Sequence, residues 1–449
     1  MSGEGEHGLR RAPVRLSRKS LRTAEPAITR LIEMALQHEG LISLAPGLVD
    51  EETLPLEETL RACREVLSDA ERGRRALQYG TTQGLEELRG LLAAHLEELD
   101  RSCGMNTVYD PDRIVIGTGS QQLLYLVAQS LLDPDDIVLT TAPDYFVYVA
   151  TLESAGAELW GVPMDEDGLI PEALDELLAY LDRHGELARV KFLYCVSYYH
   201  NPTGVCTAAE RRPQILEILR RWSRHGPILL LEDAAYRELG TSATPPAPSF
   251  VAYDTDQRVV LCQTFSKPFA PGLKCGYAFL PEDLVEPVLR EKSNHDFGSA
   301  NLVQYVIADL LRTGAYAKQA ALLREQYRRK RELLLGALAR YTAQRQLSLR
   351  WTQPTGGLYV WLIAPPELDT RSSGPLFRRC VENGVLYVPG EYCFLGIRTL
   401  QSDTPLGSPR NTLRLAYGHC PTAALEEAVR RLVTSMAEQF SPAPSPPGE

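Results

Sequence analysis

The chain has 449 residues, of which 44% are hydrophobic and 23% are charged, so it is long enough for two domains and a large core. Its formal net charge of -11 argues against a surface whose main task is nucleic acid binding. The nine cysteines are scattered singly without a CxxC pair, which argues against a disulfide framework and a zinc site. The N-terminus is polar and no apolar run is long enough to span a bilayer, which argues against a membrane span. Together these features favour a soluble cytoplasmic protein.

The first quarter of the chain is predicted to be mainly helical. Residues 1–25 mix charge, Gly and Pro without an apolar period, so we expect a mobile arm. A helix is predicted over 27–37, then a short strand over 41–44 that ends in a turn containing Gly47. Two amphipathic helices, over 56–67 and 85–96, flank a Gly-rich loop that carries Tyr79. We assign residues 26–75 to a segment that joins a smaller domain.

From residue 113 the pattern alternates between strands and helices. Apolar strands are predicted over 114–116, 136–140, 158–162, 191–196, 227–231 and 259–261, with helices over 123–132, 171–184 and 208–225 and another ending at Ala155. Continuous apolar strands that alternate with helices indicate an α/β fold with a mostly parallel sheet covered on both faces. We expect this large domain to span residues 76–335.

Polar residues follow these strands. They are residues 117–122, Tyr145, Asn201, Asp233, Tyr236 and Lys267. Ligands of such sheets bind just beyond the carboxyl ends of the strands, so these side chains are predicted to converge on one site.

The loop at 263–277 is suited to carbonyl chemistry. Burial and a neighbouring cation lower the pKa of a lysine, which would make the amine of Lys267 available to attack a carbonyl. Thr264 and Ser266 can donate to an anion, and Lys274 adds positive charge, so one loop could seat an aldehyde and a phosphate together. Taken alone, the same stretch favours an exposed loop with two solvated lysines, and the rest of the chain changes this interpretation.

After residue 284 the regular alternation of strands and helices ends. Residues 284–345 are predicted to be largely helical, with an interruption at 294–298. Strands are predicted over 354–362 and 412–417 and helices over 375–383 and 423–439, which indicates a small α+β domain over 336–440. The Pro-rich residues 441–449 are predicted to be a disordered tail.

Six motifs in this order resemble a known family. They are GTGSQQ (117–122), PDYF (143–146), NPTG (201–204), EDAAY (232–236), TFSKPFAPGLKCGY (264–277) and NTLRLAYG (411–418). The chain resembles, over roughly residues 25–440, the class I aminotransferases among the fold-type I pyridoxal-phosphate (PLP) enzymes. The similarity is to the branch with 2-aminoadipate, kynurenine, aromatic and branched-chain aminotransferases. The resemblance implies PLP as cofactor and a homodimer with shared active sites.

The resemblance implies roles for the residues around the cofactor ring. Lys267 would form a Schiff base with PLP and then shuttle the substrate proton, and Asp233 would pair with the pyridine nitrogen. Asn201 and Tyr236 would bond the phenolic oxygen, and Tyr145 would stack on the ring. Outside the family, Asp233 could cap a helix, Asn201 could form a plain turn and Tyr145 could be a core aromatic.

The resemblance also implies a phosphate site. The N–H groups of Gly119, Ser120 and Gln121 would bind the phosphate at a helix N-terminus, although ordinary tight turns look alike. Ser120, Ser266 and Lys274 would add side-chain contacts. The family most often has arginine where Lys274 stands, and a lysine keeps the charge but loses the two-pronged fork.

Three further residues complete the set implied by the family. Tyr79 would reach the phosphate of the neighbouring subunit, or be mere packing. Arg414 would grip the α-carboxylate of the substrate through its planar fork, or form a surface pair at a strand edge. Gly47 would let the N-terminal segment lie close over the substrate, which Asn201 would also contact.

The leading hypothesis is an aminotransferase that moves an amino group between an α-amino acid and a 2-oxo acid, 2-oxoglutarate among them, by a ping-pong route. A β-lyase, a cyclopropane-forming synthase or a decarboxylase on the same scaffold is the alternative. A non-catalytic regulator is less favoured, because only about 25 residues precede the first helix and Lys267, Asp233 and Arg414 are all present. No metal, nucleic acid or membrane partner is expected.

Overall fold

The structure is a computed structural model that describes residues 14–25, 27–38, 40–242, 245–401 and 404–440. The helices are α1 (Arg18–Arg22), α2 (Ala27–Gln37), α3 (Leu56–Ser68), α4 (Ala70–Leu77), α5 (Glu86–Arg101), α6 (Ser120–Leu131), α7 (Phe146–Ala155), α8 (Pro171–Arg183), α9 (Arg211–Trp222), α10 (Glu282–Asp296), α11 (Asn301–Arg312), α12 (Ala315–Arg345), α13 (Pro375–Glu382) and α14 (Thr422–Glu438). The strands are β1 (Ile42–Ser43), β2 (Ile114–Gly117), β3 (Ile137–Ala142), β4 (Glu158–Asp165), β5 (Gly168–Leu169), β6 (Val190–Val196), β7 (Leu229–Asp233), β8 (Val259–Thr264), β9 (Gly276–Phe279), β10 (Arg350–Trp351), β11 (Tyr359–Ile363), β12 (Val385–Leu386), β13 (Val388–Pro389), β14 (Ile397–Arg398) and β15 (Thr412–Ala416).

A nine-stranded sheet forms the centre of the molecule. Its order is β14-β4-β3-β6-β7-β8-β9-β2, with β5 paired to β4. Every pair from β14 to β8 is parallel, whereas β9 is antiparallel to both β8 and β2, and β5 to β4. The predicted α/β class with a mostly parallel sheet is confirmed.

Helices cover both faces of this sheet, as the continuous apolar strands predict. All six residues of β3 are buried. Ile137 and Leu139 belong to a core with α8 and α9, while Val138 between them belongs to the core on the opposite face, with α6 and α7. This alternation follows from the two-residue period of a strand.

Two smaller sheets lie outside the central one. The order β10-β11-β15-β13 makes a four-stranded antiparallel sheet, and Arg414 lies on β15 within it. The short strand β1 pairs in parallel with β12, so the N-terminal segment joins the C-terminal region. These pairings bring the Gly47 turn and Arg414 to the same side of the large sheet.

Two helices were not predicted. Helix α4 begins at Asp69, whose carboxylate accepts the N–H groups of Glu71 and Arg72. Its sequence, AERGRRAL, has few apolar residues and a glycine, so the period gave no signal. Within the predicted N-terminal arm, Arg18–Arg22 form a helix with Ser17 as its N-cap. Residues 1–13 of that arm and the predicted tail at 441–449 lie outside the described residues.

Among the described residues, no helix is both long enough and apolar enough to cross a bilayer. The same residues contain no cluster of three or more His, Cys, Asp or Glu side chains suited to a metal ion. The nine cysteines are all free thiols.

Candidate active site

A cavity of about 250 Å³ opens at the carboxyl ends of the parallel strands. Ten of the thirteen residues singled out from the sequence line it, namely Gly119, Ser120, Gln121, Tyr145, Asn201, Asp233, Tyr236, Ser266, Lys267 and Lys274. Of the other three, Gly47 and Arg414 contact residues of this lining, and Tyr79 lies apart. The strand-end rule therefore located the site.

One end of the cavity is formed by the turn between β2 and α6. Gly119 has a φ of +79°, a conformation that side chains rarely adopt, and Ser120 begins the helix. Strand β9 backs onto this turn, since a Cβ added at Gly276 would lie 2.5 Å from the backbone nitrogen of Ser120. The first N–H groups of α6 have no partner within the helix and are directed outward from its N-terminus, where an anion is favoured.

Hydroxyl groups and an ammonium surround the same end. The Thr264 hydroxyl donates to Oγ of Ser266 at 2.9 Å and accepts the Ser266 N–H at 3.1 Å. Lys274 follows the turn Pro271–Leu273 in the left-handed conformation, with a φ of +48°. A helix N-terminus, two hydroxyls and a lysine are groups that favour a bound anion.

Lys267 lines the same cavity and contacts the N-terminal segment. Its Nζ donates to the carbonyl oxygen of Gly47 at 2.7 Å. The same nitrogen lies 5.9 Å from the centre of the Tyr236 ring. We call residues 45–48 the strap. Gly47 of the strap contacts Lys267, and Leu48 lines the cavity.

Asp233 ends β7, is buried and also lines the cavity. The Tyr194 hydroxyl donates to its Oδ2 at 3.0 Å, and the Ala235 N–H donates to its Oδ1 at 3.2 Å. Burial raises the pKa of Asp233 to about 6, because the charged form loses more hydration than these two hydrogen bonds return. A buried carboxylate that faces a cavity is suited to a cationic N–H of a ligand.

Arg414 reaches the site from the small antiparallel sheet and is buried. Its Nη1 donates to Oδ1 of Asn201 at 2.8 Å and its Nη2 donates to the carbonyl of Ala45 at 2.5 Å. Its Nε is buried without a hydrogen-bond partner. The guanidinium carbon lies 4.6 Å from the centre of the Tyr359 ring, so the fork is held in one plane.

Several contributors were not singled out from the sequence. The hydroxyls of Tyr359 and Tyr236 lie 2.9 Å apart. Asp144 accepts the N–H of Tyr145 at 2.6 Å and the N–H of Thr141 at 2.9 Å, and its Oδ1 lies 3.5 Å from Nε2 of buried His200. Asp144 and His200 each precede a predicted site residue, which was the available signal. Tyr194 and Tyr359 read as ordinary buried strand residues.

Tyr79 is not part of this lining. Its side chain is 81% exposed, and its ring packs edge-on against Phe297, with 5.7 Å between the centroids. Tyr79 and Phe297, which is 60% exposed, form an exposed aromatic pair outside the cavity.

The chain matches the family model described as aminotransferase class I and II over residues 40–432. It belongs to this family. The aminotransferase is 31% identical to the 2-aminoadipate transaminase of Thermus thermophilus, over 88% of its own length and 90% of the relative's. A multiple substrate aminotransferase from Thermococcus profundus superimposes with a TM-score of 0.83 at 30% identity, covering 95% of this chain and 98% of that one.

A second solved structure bears on the cofactor. It is an α-aminoadipate aminotransferase of Thermus thermophilus, complexed with N-(5'-phosphopyridoxyl)-L-leucine. That structure superimposes on the aminotransferase with a TM-score of 0.78 at 29% identity, over 94% of this chain and 97% of that one.

The residues of the cavity fit pyridoxal phosphate. The cofactor has a ring nitrogen that can carry a proton, an aldehyde on the opposite side of the ring, and a phosphate arm on the carbon next to the aldehyde. The lining of the cavity offers a helix N-terminus that favours an anion, the buried carboxylate of Asp233 and the amine of Lys267. The protein is a PLP-dependent aminotransferase of fold type I.

Proposed function

We propose that the protein moves an amino group between an α-amino acid and a 2-oxo acid in two half-reactions, with 2-oxoglutarate among its acceptors. The observation that carries this proposal is that Lys267, Asp233 and the N-terminal residues of α6 line one cavity. When bound, PLP supplies an electron sink for the bonds at the substrate Cα.

Lys267 has two tasks in this proposal. Its Nζ would hold the cofactor and, when free, would move a proton to and from the substrate Cα as general base and acid. The bond from Nζ to the carbonyl of Gly47 must break for either task. The carbonyl of Gly47 is therefore a hydrogen-bond acceptor for the free amine, close to where the amine reacts.

Asp233 and the phosphate turn hold the two ends of the cofactor. Asp233 would accept the ring N–H, and the cation there would lower the pKa of Asp233 below the value of about 6 that it has without the cofactor. The N–H groups of Gly119, Ser120 and Gln121, with Ser120, Ser266 and Lys274, bind the phosphate. Asn201 and Tyr236 bond the phenolic oxygen, and Tyr145 packs on the ring.

Arg414 is proposed to bind the α-carboxylate of both substrates, near Gly47 and Asn201. Its buried Nε lacks an acceptor, and a carboxylate supplies one through the two-pronged geometry that a guanidinium favours. Because every α-amino acid and every 2-oxo acid carries this carboxylate, one arginine can serve both half-reactions in turn.

We further propose a homodimer in which Tyr79 of each subunit contacts the phosphate bound by the other. The supporting observation is its exposed ring beside exposed Phe297, outside the cavity of its own chain. The nine free thiols support a cytoplasmic location. We also propose a large domain over 76–335 and a small one over 336–440, with 26–75 joining the latter; the β1–β12 pair supports this last assignment.

The proposal is tested by product analysis. The purified full-length protein is incubated with PLP, 2-oxoglutarate and single amino acids from a panel. We expect glutamate and the oxo acid of the donor in equal amounts. Release of ammonia or carbon dioxide without glutamate would favour a lyase or a decarboxylase and overturn the proposal.

A further inference from the structure

Gln122 bridges the phosphate turn to helix α10. Its Oε1 accepts the N–H of Thr118 at 2.7 Å, which closes the turn across Gly119. Its Nε2 donates to Oδ2 of Asp296 at 2.7 Å and lies 3.1 Å from Nδ1 of His295. The two ends of one side chain therefore connect the turn to the C-terminal end of α10.

Asp296 is a firmly held acceptor for this bond. The ammonium of Lys292 is buried and donates to both carboxylate oxygens of Asp296, at 2.8 and 3.0 Å, and to Oγ of Ser299 at 3.0 Å. Breaking a buried ion pair leaves an uncompensated charge, so this arrangement resists displacement. The Thr118 hydroxyl also donates to Oγ of Ser299, at 3.4 Å, and makes a second link from the turn.

The same end of α10 supports the loop that carries Tyr79. Phe297 follows Asp296 and packs against the Tyr79 ring, and its carbonyl accepts the Thr82 hydroxyl at 2.9 Å. The segment 292–299 thus contacts both the phosphate turn of its own subunit and Tyr79, the residue proposed to contact the phosphate in the partner subunit.

We propose that Gln122 is a positioning residue for the cofactor phosphate. With Asp296 as its anchor, it fixes the direction in which the N–H groups of Ser120 and Gln121 face the cavity. Gln122 is not among the residues lining the cavity, so it acts through the turn. This inference rests on the proposed function, because it takes the turn to be the phosphate site.

The test compares cofactors with and without a phosphate. Gln122→Met keeps the side-chain volume and removes both hydrogen bonds. We expect the dissociation constant for PLP, measured by fluorescence titration of the cofactor-free full-length protein, to rise about tenfold, as loss of one or two hydrogen bonds gives. Pyridoxal lacks the phosphate and therefore does not depend on the turn. The affinity of Gln122→Met for pyridoxal should stay within about twofold of the wild-type value.

Gln129→Met is the matched control. It lies two turns further along α6 and makes one side-chain bond, to Nζ of Lys19 at 2.9 Å. This variant should bind PLP as the wild type does. An unchanged PLP constant in Gln122→Met, or an equal loss for PLP and pyridoxal, would overturn the inference. A wild type that binds no PLP would instead overturn the proposed function.

A second pair of variants, Gln122→Glu alone and together with Asp296→Asn, tests the same bridge if Gln122→Met does not fold. Gln122→Glu places a carboxylate against that of Asp296, so PLP binding should weaken. Adding Asp296→Asn removes the repulsion, because the new amide at position 296 can donate a hydrogen bond to the new carboxylate at position 122. The double variant should therefore recover most of the lost PLP affinity. A double variant no better than Gln122→Glu would contradict the bridge.

Discussion

The ammonium nitrogen of Lys267 lies 2.7 Å from the carbonyl oxygen of Gly47, a residue 220 positions earlier in the chain. A second cation of the site, Arg414, bonds the carbonyl of Ala45, two residues before Gly47. The strap therefore lies across both groups that the proposed reaction uses, and its position should govern access of substrate to them.

Gly47→Ala tests this role of the strap. A Cβ at position 47 would overlap the hydroxyl of Tyr359. We expect KM for the amino donor to rise about tenfold, because overpacking costs on the order of 1–3 kcal/mol. The effect should be much smaller in a Tyr359→Phe background, where the nearest remaining ring atom lies 3.2 Å away.

The matched control is Gly90→Ala on α5, where an added Cβ meets no atom within 4 Å. The comparison uses steady-state kinetics of Gly47→Ala, Tyr359→Phe, the double variant of these two, and Gly90→Ala. If Gly47→Ala raised KM equally in both backgrounds, its effect would not arise from Tyr359.

Arg414→Lys is expected to weaken substrate binding. Lysine keeps the charge but cannot bond a carboxylate with two parallel N–H groups. Loss of a hydrogen bond to a charged group costs roughly 1.5–3 kcal/mol, so KM for both substrates should rise about ten- to a hundredfold. The exposed Arg410→Lys is the control. A rise in KM for only one of the two substrates would contradict a shared carboxylate site.

Asp233→Asn should change stability in a pH-dependent way in the cofactor-free protein. The folded pKa of Asp233 is about 6, above the ordinary value of 3.8, so between these values the folded protein binds a proton that the unfolded chain does not. The carboxyl group therefore favours folding less as the pH rises from about 4 to 6. The full difference is about 3 kcal/mol.

The variant keeps a neutral side chain at every pH. Its melting temperature relative to the wild type should therefore rise between pH 4 and 6 and then stay level, while aminotransferase activity falls because the ring N–H loses its anionic partner. A difference in melting temperature that is the same at pH 4 and pH 8 would show that Asp233 has an ordinary pKa.

Hybrid dimers test whether Tyr79 serves the neighbouring site. Tyr79→Ala and Lys267→Ala chains with different affinity tags are co-expressed, and the mixed species is isolated. If the sites are shared as proposed, one site of the hybrid has both residues and the other has neither. We expect PLP affinity at the Lys267-bearing site to match the wild type and to exceed that of the Tyr79→Ala homodimer. Equal affinity in the hybrid and that homodimer would place Tyr79 outside the partner's site.

The sequence predicted the cavity because parallel strands align their carboxyl ends, so residues that follow different strands, such as Tyr145, Asn201 and Lys267, had to meet. It did not predict the partners of these residues. The bonds from Tyr194 to Asp233 and from Gln122 to Asp296 join side chains whose pairing depends on strand register and on the exact ends of helices. Helix α4 was missed because capping by Asp69, not an apolar face, marks its start.

We propose that amino groups are exchanged in two separate half-reactions that depend on Lys267. The direct measurement is a single turnover with PLP-loaded protein, excess amino donor and no 2-oxo acid. We predict one equivalent of the donor's oxo acid per site and a shift of the cofactor's absorbance, which 2-oxoglutarate then reverses with release of glutamate. Lys267→Ala should form the product at a rate about 10²–10⁴-fold lower. Continued product formation beyond one equivalent, with ammonia or carbon dioxide released, would contradict the account.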